Sequence, residues 1–186
     1  IQSIAIPKIF SGKDIVATAQ TGTGKTAAFG LPLLQKITSK KLPPSSPRSP
    51  RSLILAPTRE LALQILEDLE SFSGSSKISF SCVIGGINQN SQIRKNSHGI
   101  DVLVAAPGRL LDLINQGHIR LDQTEFLVLD ECDRLLDMGF LPDVKRIIKT
   151  MPKKRQSLLF STTISEEVRQ FSREILSKPD RIDIAP

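Results

Sequence analysis

The stretch DIVATAQTGTGKTAAFG occupies residues 14–30 and decides how the rest of the chain is read. Its first part, Asp14–Thr18, is a short apolar run rich in β-formers, and its last part opens a helical period. Between them stand two glycines, then Lys25 and Thr26. A strand that turns through glycines into a helix places backbone N–H groups and the positive end of the helix dipole at one point, which suits a phosphate. In that context Lys25 would reach the β- and γ-phosphates of a nucleotide, and the Thr26 hydroxyl would ligate Mg²⁺. The general phosphate-loop pattern begins with glycine where this chain has Ala19. The plainer alternative is that Gly22 and Gly24 only make the turn.

Outward from that point, apolar runs alternate with stretches of helical period. The runs are 14–18, 52–56, 78–84, 101–106, 126–130, 156–161 and 181–184. Near-continuous apolar strands of this kind are buried on both faces, as in a parallel sheet. Helices are expected over 24–36, 59–72, 88–96, 108–116, 131–136, 141–150 and 165–176, and Leu61, Ile65, Leu66 and Leu69 form a core-facing stripe on one of them. The pattern predicts an α/β doubly wound fold, mostly parallel with about seven strands and helices on both faces. With 186 residues it predicts one domain. Residues 38–52 (TSKKLPPSSPRSPRS) break the period with four prolines and read as a mobile basic surface loop, either a tolerated insertion or a tongue that touches nucleic acid.

A second run ends in acid: FLVLDECD, residues 126–133. A carboxylate at the C-terminal end of a strand near a phosphate loop is where a nucleotide-bound Mg²⁺ finds its anionic ligand, and Asp130 suits that role. Glu131 could orient or deprotonate an attacking water. Taken alone, Asp130 reads equally well as the N-cap of the next helix. Three other strand ends carry turn residues: PTRELA at 57–62, Gly85-Gly86, and APGR at 106–109. On one edge they would offer amides, a hydroxyl and guanidinium groups to a phosphodiester backbone, although each alone is ordinary turn chemistry.

Composition narrows the classes. Lys and Arg number 25 against 19 Asp and Glu, a net charge of +6 that favours an anionic partner. Two cysteines cannot staple a chain of this length. With eight Phe and no Trp or Tyr, a sheet that stacks bases on exposed rings is not expected, so nucleic-acid contacts should go to the backbone. No apolar run reaches membrane-spanning length and no signal peptide opens the chain, so a cytoplasmic protein is expected, with the nucleus open if the source is eukaryotic. The chain begins at Ile1 and Gln2 without methionine and reads as a domain cut from a longer protein.

Taken together, these stretches resemble the DEAD-box family of ATP-dependent RNA helicases, and in particular its N-terminal RecA-like P-loop NTPase domain. AQTGTGKT looks like motif I, in which the family itself carries alanine at the place of Ala19. PTRELA resembles motif Ia, Gly85-Gly86 the GG element, APGR the family's TPGR, DECD the DEAD box, and Ser161-Thr162-Thr163 the SAT motif. Gln2, ahead of Ala5-Ile6-Pro7, looks like the adenine-reading glutamine of the Q motif. RLLDMGF at 134–140 is similar to the bacterial RhlE-like branch.

The resemblance implies ATP and Mg²⁺ as cofactors and RNA duplex remodelling as the function. It implies nucleotide contacts from Gln2, Thr21, Gly22, Thr23, Gly24, Lys25 and Thr26. Thr26 and Asp130 would hold the metal, partly through water, and Lys25, Asp130 and Glu131 would carry catalysis. Pro57, Thr58, Arg59, Gly86, Gly108 and Arg109 would face the RNA sugar-phosphate backbone, while Asp133, Ser161 and Thr163 would couple ATP state to RNA grip. The chain departs from the family at Cys132 for Ala, Ala106 for Thr and Thr162 for the middle Ala of SAT. The family's second, C-terminal RecA-like domain would be the partner that supplies arginine fingers. A chain holding the first domain alone, expected to be a monomer, should bind nucleotide weakly and hardly hydrolyse it.

Other classes compete with this reading. A GTPase needs a guanine-reading N-K-x-D, and Ser177-Lys178-Pro179-Asp180 lacks the asparagine and reads as a helix stop. A scaffold that has lost turnover fits poorly with intact Lys25, Thr26, Asp130 and Glu131. A DNA helicase of a related superfamily would be told apart by its response to the 2′-OH. Lys153-Lys154-Arg155 reads as a solvated turn, His98 and His118 as isolated residues away from any metal-ligand spacing, and Cys82 as a small buried hydrophobe.

Overall fold

The computed structural model describes residues 1–39 and 44–184. The elements are α1 (Gln2–Phe10), β1 (Ile15–Thr18), α2 (Lys25–Thr38), β2 (Ser52–Leu55), α3 (Arg59–Ser73), β3 (Phe80–Val83), α4 (Gln89–Asn96), β4 (Val102–Ala105), α5 (Pro107–Asn115), β5 (Phe126–Leu129), α6 (Cys132–Asp137), α7 (Leu141–Lys149), β6 (Gln156–Ser161), α8 (Glu166–Ile175) and β7 (Asp180–Asp183). The strands form one seven-stranded sheet in the order β3-β4-β2-β5-β6-β1-β7. Every pairing is parallel.

Side-chain alternation explains why the central strands read as continuous apolar runs. Leu53 and Leu55 enter the core on one face and Ile54 the core on the other, and Leu127, Val128 and Leu129 divide the same way. Both faces are therefore dry. Helices α1, α2 and α3 cover one face and α5 to α8 the other. Phe29 of α2 packs on Phe160 of β6 with ring centroids 5.5 Å apart, which seats the helix behind the phosphate loop against the middle of the sheet. The buried Lys36 donates to Gln156 and lies over the Phe126 ring, so one cation ties α2 to two strands.

Two features differ from the sequence reading. The first is α1, for which no helix was expected over Gln2–Phe10. Pro7 lies inside it, and only Ala5 and Ile9 are buried on it, so its apolar period is thin. The second is the 38–52 loop. Residues 40–43 lie outside the described residues. From Ser46 onward the chain is fastened down, which corrects the expectation of a mobile loop for that part. Arg48 donates to Gly117 O at 3.2 Å and its carbonyl accepts from Arg120 N at 2.8 Å. Thr124 Oγ1 donates to Pro50 O at 2.6 Å, Arg51 pairs with Asp101 at 3.2 Å, and Ser49 is fully buried. Among the described residues, no helix is long and apolar enough to cross a membrane.

Candidate functional site at the strand ends

Because all seven strands are parallel, every loop that follows a strand emerges on one edge of the sheet. Reading along that edge in spatial order gives Gly85-Gly86 after β3, Ala106–Arg109 after β4, Pro57–Arg59 after β2, the DECD segment after β5, Ser161–Thr163 ending β6, and the phosphate loop after β1. Every candidate site residue except Gln2 thus comes from this one edge, and Gln2 reaches it from α1. Its Nε2 donates to Gly24 O at 3.4 Å, and a Cβ added at Gly24 would stand 2.5 Å from that nitrogen. Gly24 also has φ +81, a left-handed conformation that glycine alone adopts freely, and this backbone requirement fixes its identity, whereas the Gln2 amide end could swing away.

The phosphate loop opens onto a cavity of about 430 Å³. Thr21, Gly22, Gly24, Lys25, Thr26, Asp130 and Glu131 line it. Thr23 does not; its hydroxyl donates to Gln20 O at 2.7 Å and shapes the turn instead. Leu61, Gln64, Asp68 and Phe72 also line the cavity, and the sequence reading missed all four. Their spacing of i, i+3, i+7 and i+11 marks one face of α3, the only signal that could have found them.

The charge arrangement inside the cavity is incomplete by itself. Lys25 is 7% exposed, and its Nζ has no hydrogen-bond partner. It lies 3.7 Å from Asp130 Oδ1, within ion-pair range but too far for a hydrogen bond. Burial pushes the Asp130 carboxyl above its ordinary range, opposed by Lys25 and by the Glu131 N–H, which donates to Oδ1 at 2.9 Å. A buried ammonium with no hydrogen bond, beside a carboxylate whose charge burial disfavours, is a poor resting state and a good receptor for a polyanion. The N-cap of α6 is Glu131, not Asp130, so the capping alternative for Asp130 drops out. Glu131 holds φ +47, strained for a residue with a Cβ, and its carboxylate accepts from Arg134 Nη1 at 2.6 Å.

Asp133 joins the ends of β5 and β6. Its Oδ2 accepts from Thr162 Oγ1, from Thr163 N at 3.1 Å and from Thr163 Oγ1 at 3.0 Å. Its backbone N–H donates to Ser161 Oγ at 3.1 Å, and that hydroxyl donates to Thr163 O at 2.7 Å. The hydroxyl that Thr162 brings is therefore part of the link. Burial alone would raise the Asp133 pKa, but the Thr162 and Thr163 hydroxyls and amide outweigh it and hold it below the ordinary range. A carboxylate depressed in the folded state adds stability above its unfolded pKa of about 4, lost as pH falls through the folded value. Thr162→Ala should raise the Asp133 pKa and move acid unfolding to higher pH, read by ¹³C carboxyl titration and circular dichroism. An unchanged Asp133 titration would mean that Thr163 alone holds the charge.

On the far half of the edge, Thr58 caps α3 by accepting from Leu61 N at 3.1 Å, and Arg59 follows it, exposed. A Cβ at Gly86, where φ is +77, would collide with the Arg59 guanidinium. Arg109 donates to Ile87 O at 3.0 Å, beside Gly108 in the first turn of α5. Pro57 is buried, so its side chain shapes the turn and does not face outward. The remaining residues form a strip of amides and two guanidiniums over β3, β4 and β2. Cys132 is fully buried, and burial pushes its thiol up to about 12, an inert core position. Cys82 is half-buried rather than buried, and burial raises its thiol to about 11.

Known proteins are similar to this chain in sequence and fold. The chain is 43% identical over 185 residues to the ATP-dependent RNA helicase dbp3 of Aspergillus terreus, a match over 99% of this chain and 37% of that protein. It is 43% identical over 184 residues to the ATP-dependent RNA helicase CshA of Listeria monocytogenes, over 99% of this chain and 34% of that one. The chain thus spans about a third of the length of these curated relatives. A crystal structure of a DEAD box protein from the hyperthermophile Methanococcus jannaschii superposes with a TM-score of 0.88 at 33% identity, covering 97% of this chain and 48% of that one. The DEAD/DEAH box helicase family profile matches residues 1–171, and with the strand-end geometry above it shows that the chain belongs to that family.

Proposed function

We propose that this chain is the ATP-binding half of an ATP-dependent RNA helicase, which remodels RNA duplexes as it hydrolyses ATP together with a second RecA-like domain of the same protein. The observation that carries the reading is the buried Lys25 ammonium, without a hydrogen bond, at the mouth of a cavity walled by loop amides and two carboxylates. ATP fits that donor set: Gly22 and Gly24 bring backbone N–H groups close, and Lys25 neutralises phosphate charge. Among the described residues, no cluster of three or more acidic, His or Cys groups could hold a metal unaided. Thr26 and Asp130 would hold Mg²⁺ jointly with phosphate oxygens and water, and the ion when bound supplies further charge neutralisation there.

Glu131, 6% exposed and steered by Arg134, is placed to take a proton from the attacking water at its carboxylate. Gln2, in contact with Gly24, is placed to read the base. Asp133, hydrogen-bonded across to Ser161–Thr163, stands between the nucleotide loop and the strip carrying Arg59 and Arg109, so a movement at one end is passed to the other. The strip takes the RNA backbone without reading bases, which suits a sequence-tolerant remodeller.

Calorimetric titration with Mg-ADP and Mg-GDP tests the nucleotide half of this reading. ADP binding without GDP binding is expected; equal binding of both would remove Gln2 as the reader of the base. For the RNA half, the Arg59→Ala/Arg109→Ala pair should weaken single-stranded RNA binding and lower its salt slope by about 1.4, at about 0.7 per lost phosphate contact. RNA affinity and slope at wild-type values would overturn the strip.

A further inference from the structure

A second cavity, of about 470 Å³, lies on the opposite edge of the sheet. It is bounded by Asp14 just ahead of β1, by Arg155 and Ser157 at the start of β6, and by the C-terminal ends of α7 and α8. In an all-parallel sheet this is the N-terminal edge, about 20 Å from the phosphate loop by the rise of a six-residue strand. Three cations, Lys149, Lys153 and Arg155, line it against two acids, Asp14 and Glu174.

Both acids are already engaged. Asp14 accepts backbone N–H bonds from Ser157 at 2.8 Å and Ser177 at 2.7 Å, one on each oxygen. Glu174 pairs with Lys145 at 3.0 Å. Beside the cavity, Asp180 pairs with Lys8 at 2.6 Å and Lys13 at 3.7 Å. The cations have no such partners. Arg155 is half-buried and donates only to neutral acceptors: Ser157 Oγ at 3.0 Å, Pro152 O at 3.0 Å and Ile175 O at 3.1 Å. Burial pushes its guanidinium below its ordinary pKa, with Asp14 pulling the other way. Lys149, Lys153 and Lys154 are exposed and, among the described residues, make no ion pair.

We propose that this face is a second RNA-contacting surface, in which Arg155 forms a fixed cationic wall and Lys149, Lys153 and Lys154 engage phosphodiester groups without reading bases. The proposal rests on the RNA-binding reading given above. Ile148, Met151, Ile175 and Leu176 also line the cavity, but Ile148, Met151 and Leu176 are buried in the core. None of the exposed large apolar side chains (Ile4, Leu31, Phe72, Ile87, Met138) lines it, so the accessible groups are charges and not the apolar or aromatic anchor that a protein interface centres on. Backbone phosphates need only positive charge, presented on a fixed frame. RNA held here lies on the far side of the domain from the strip, so the two surfaces grip separate segments of one substrate.

The test is anisotropy of a labelled 20-nucleotide RNA as a function of salt, with ADP titration as the control for folding. The variant Lys149→Gln/Lys153→Gln/Lys154→Gln should bind ADP normally, bind RNA about tenfold more weakly at low salt, and lose about 2 from the log–log salt slope. The same three positions changed to Arg should bind like the unaltered chain. Unchanged RNA binding in the Gln variant overturns the proposal, and so does an Arg variant as weak as the Gln one, which would mark a packing defect. If the Gln variant binds RNA normally but loses affinity for polyglutamate, the face belongs to an acidic protein. The Arg59→Ala/Arg109→Ala pair reports separately on the strip, so failure of either surface is seen independently of the other.

Discussion

Residues 1–186 alone will hydrolyse ATP on the order of 10³–10⁵ times more slowly than the same residues joined to a second RecA-like domain, even with saturating RNA. Charge builds on the transferring phosphoryl group, and a guanidinium delivered to it accounts for a gap of that size in related chemistry. Among the described residues, no arginine lines the nucleotide cavity. Arg134, which reaches the lining residue Glu131, is committed to it at 2.6 Å and is more than half exposed. The cavity is also open, so water competes for every charge inside it. A coupled phosphate-release assay on the short and the longer protein measures the ratio directly. Comparable rates would mean that this domain supplies its own transition-state cation, and would sink the two-domain reading.

Replacing Lys25 by alanine will weaken Mg-ADP binding about 10- to 100-fold, from the ~1.5–3 kcal/mol of a charge-assisted hydrogen bond to phosphate. The fold should survive the change for a reason visible in the site. Burial disfavours the charged form of Asp130, and the Glu131 N–H still donates to its Oδ1 at 2.9 Å, so the carboxyl keeps a hydrogen-bond partner when the ammonium is removed. Calorimetry gives the affinity, and thermal unfolding without nucleotide gives the control. Retained affinity would show that the loop amides alone hold the phosphates.

The sheet and its loops were legible because burial on both faces leaves apolar runs such as FLVL and SLIL, and because Gly-Lys-Thr after such a run has few other uses. That ordering, together with the family resemblance, also drew the edge residues together in advance. The unread parts depend on contacts distant in sequence. Helix α1 is held by docking on α2 and the sheet, not by its own period, which Pro7 interrupts. The segment from Ser46 to Arg51 looks like a solvated loop until Gly117, Arg120, Thr124 and Asp101 come round to meet it. Thr162 could be seen to differ from the family pattern, but only the structure shows its hydroxyl on Asp133. The α3 wall of the nucleotide cavity carried a helical spacing and nothing that marked it as a lining.

Strand order also sets a timetable for synthesis. The phosphate loop is built from residues near the start of the chain, yet β1 beneath it pairs only with β6 and β7, whose residues lie between 156 and 183. While the chain grows, β1 and its loop have no neighbours in the sheet, and the two halves are joined by contacts of long sequence separation, which form slowly. The β3-β4-β2-β5 half can pair first, once β5 has emerged, and the nucleotide site closes last. A nascent chain is thus unable to complete this nucleotide site until β6 and β7 have been made.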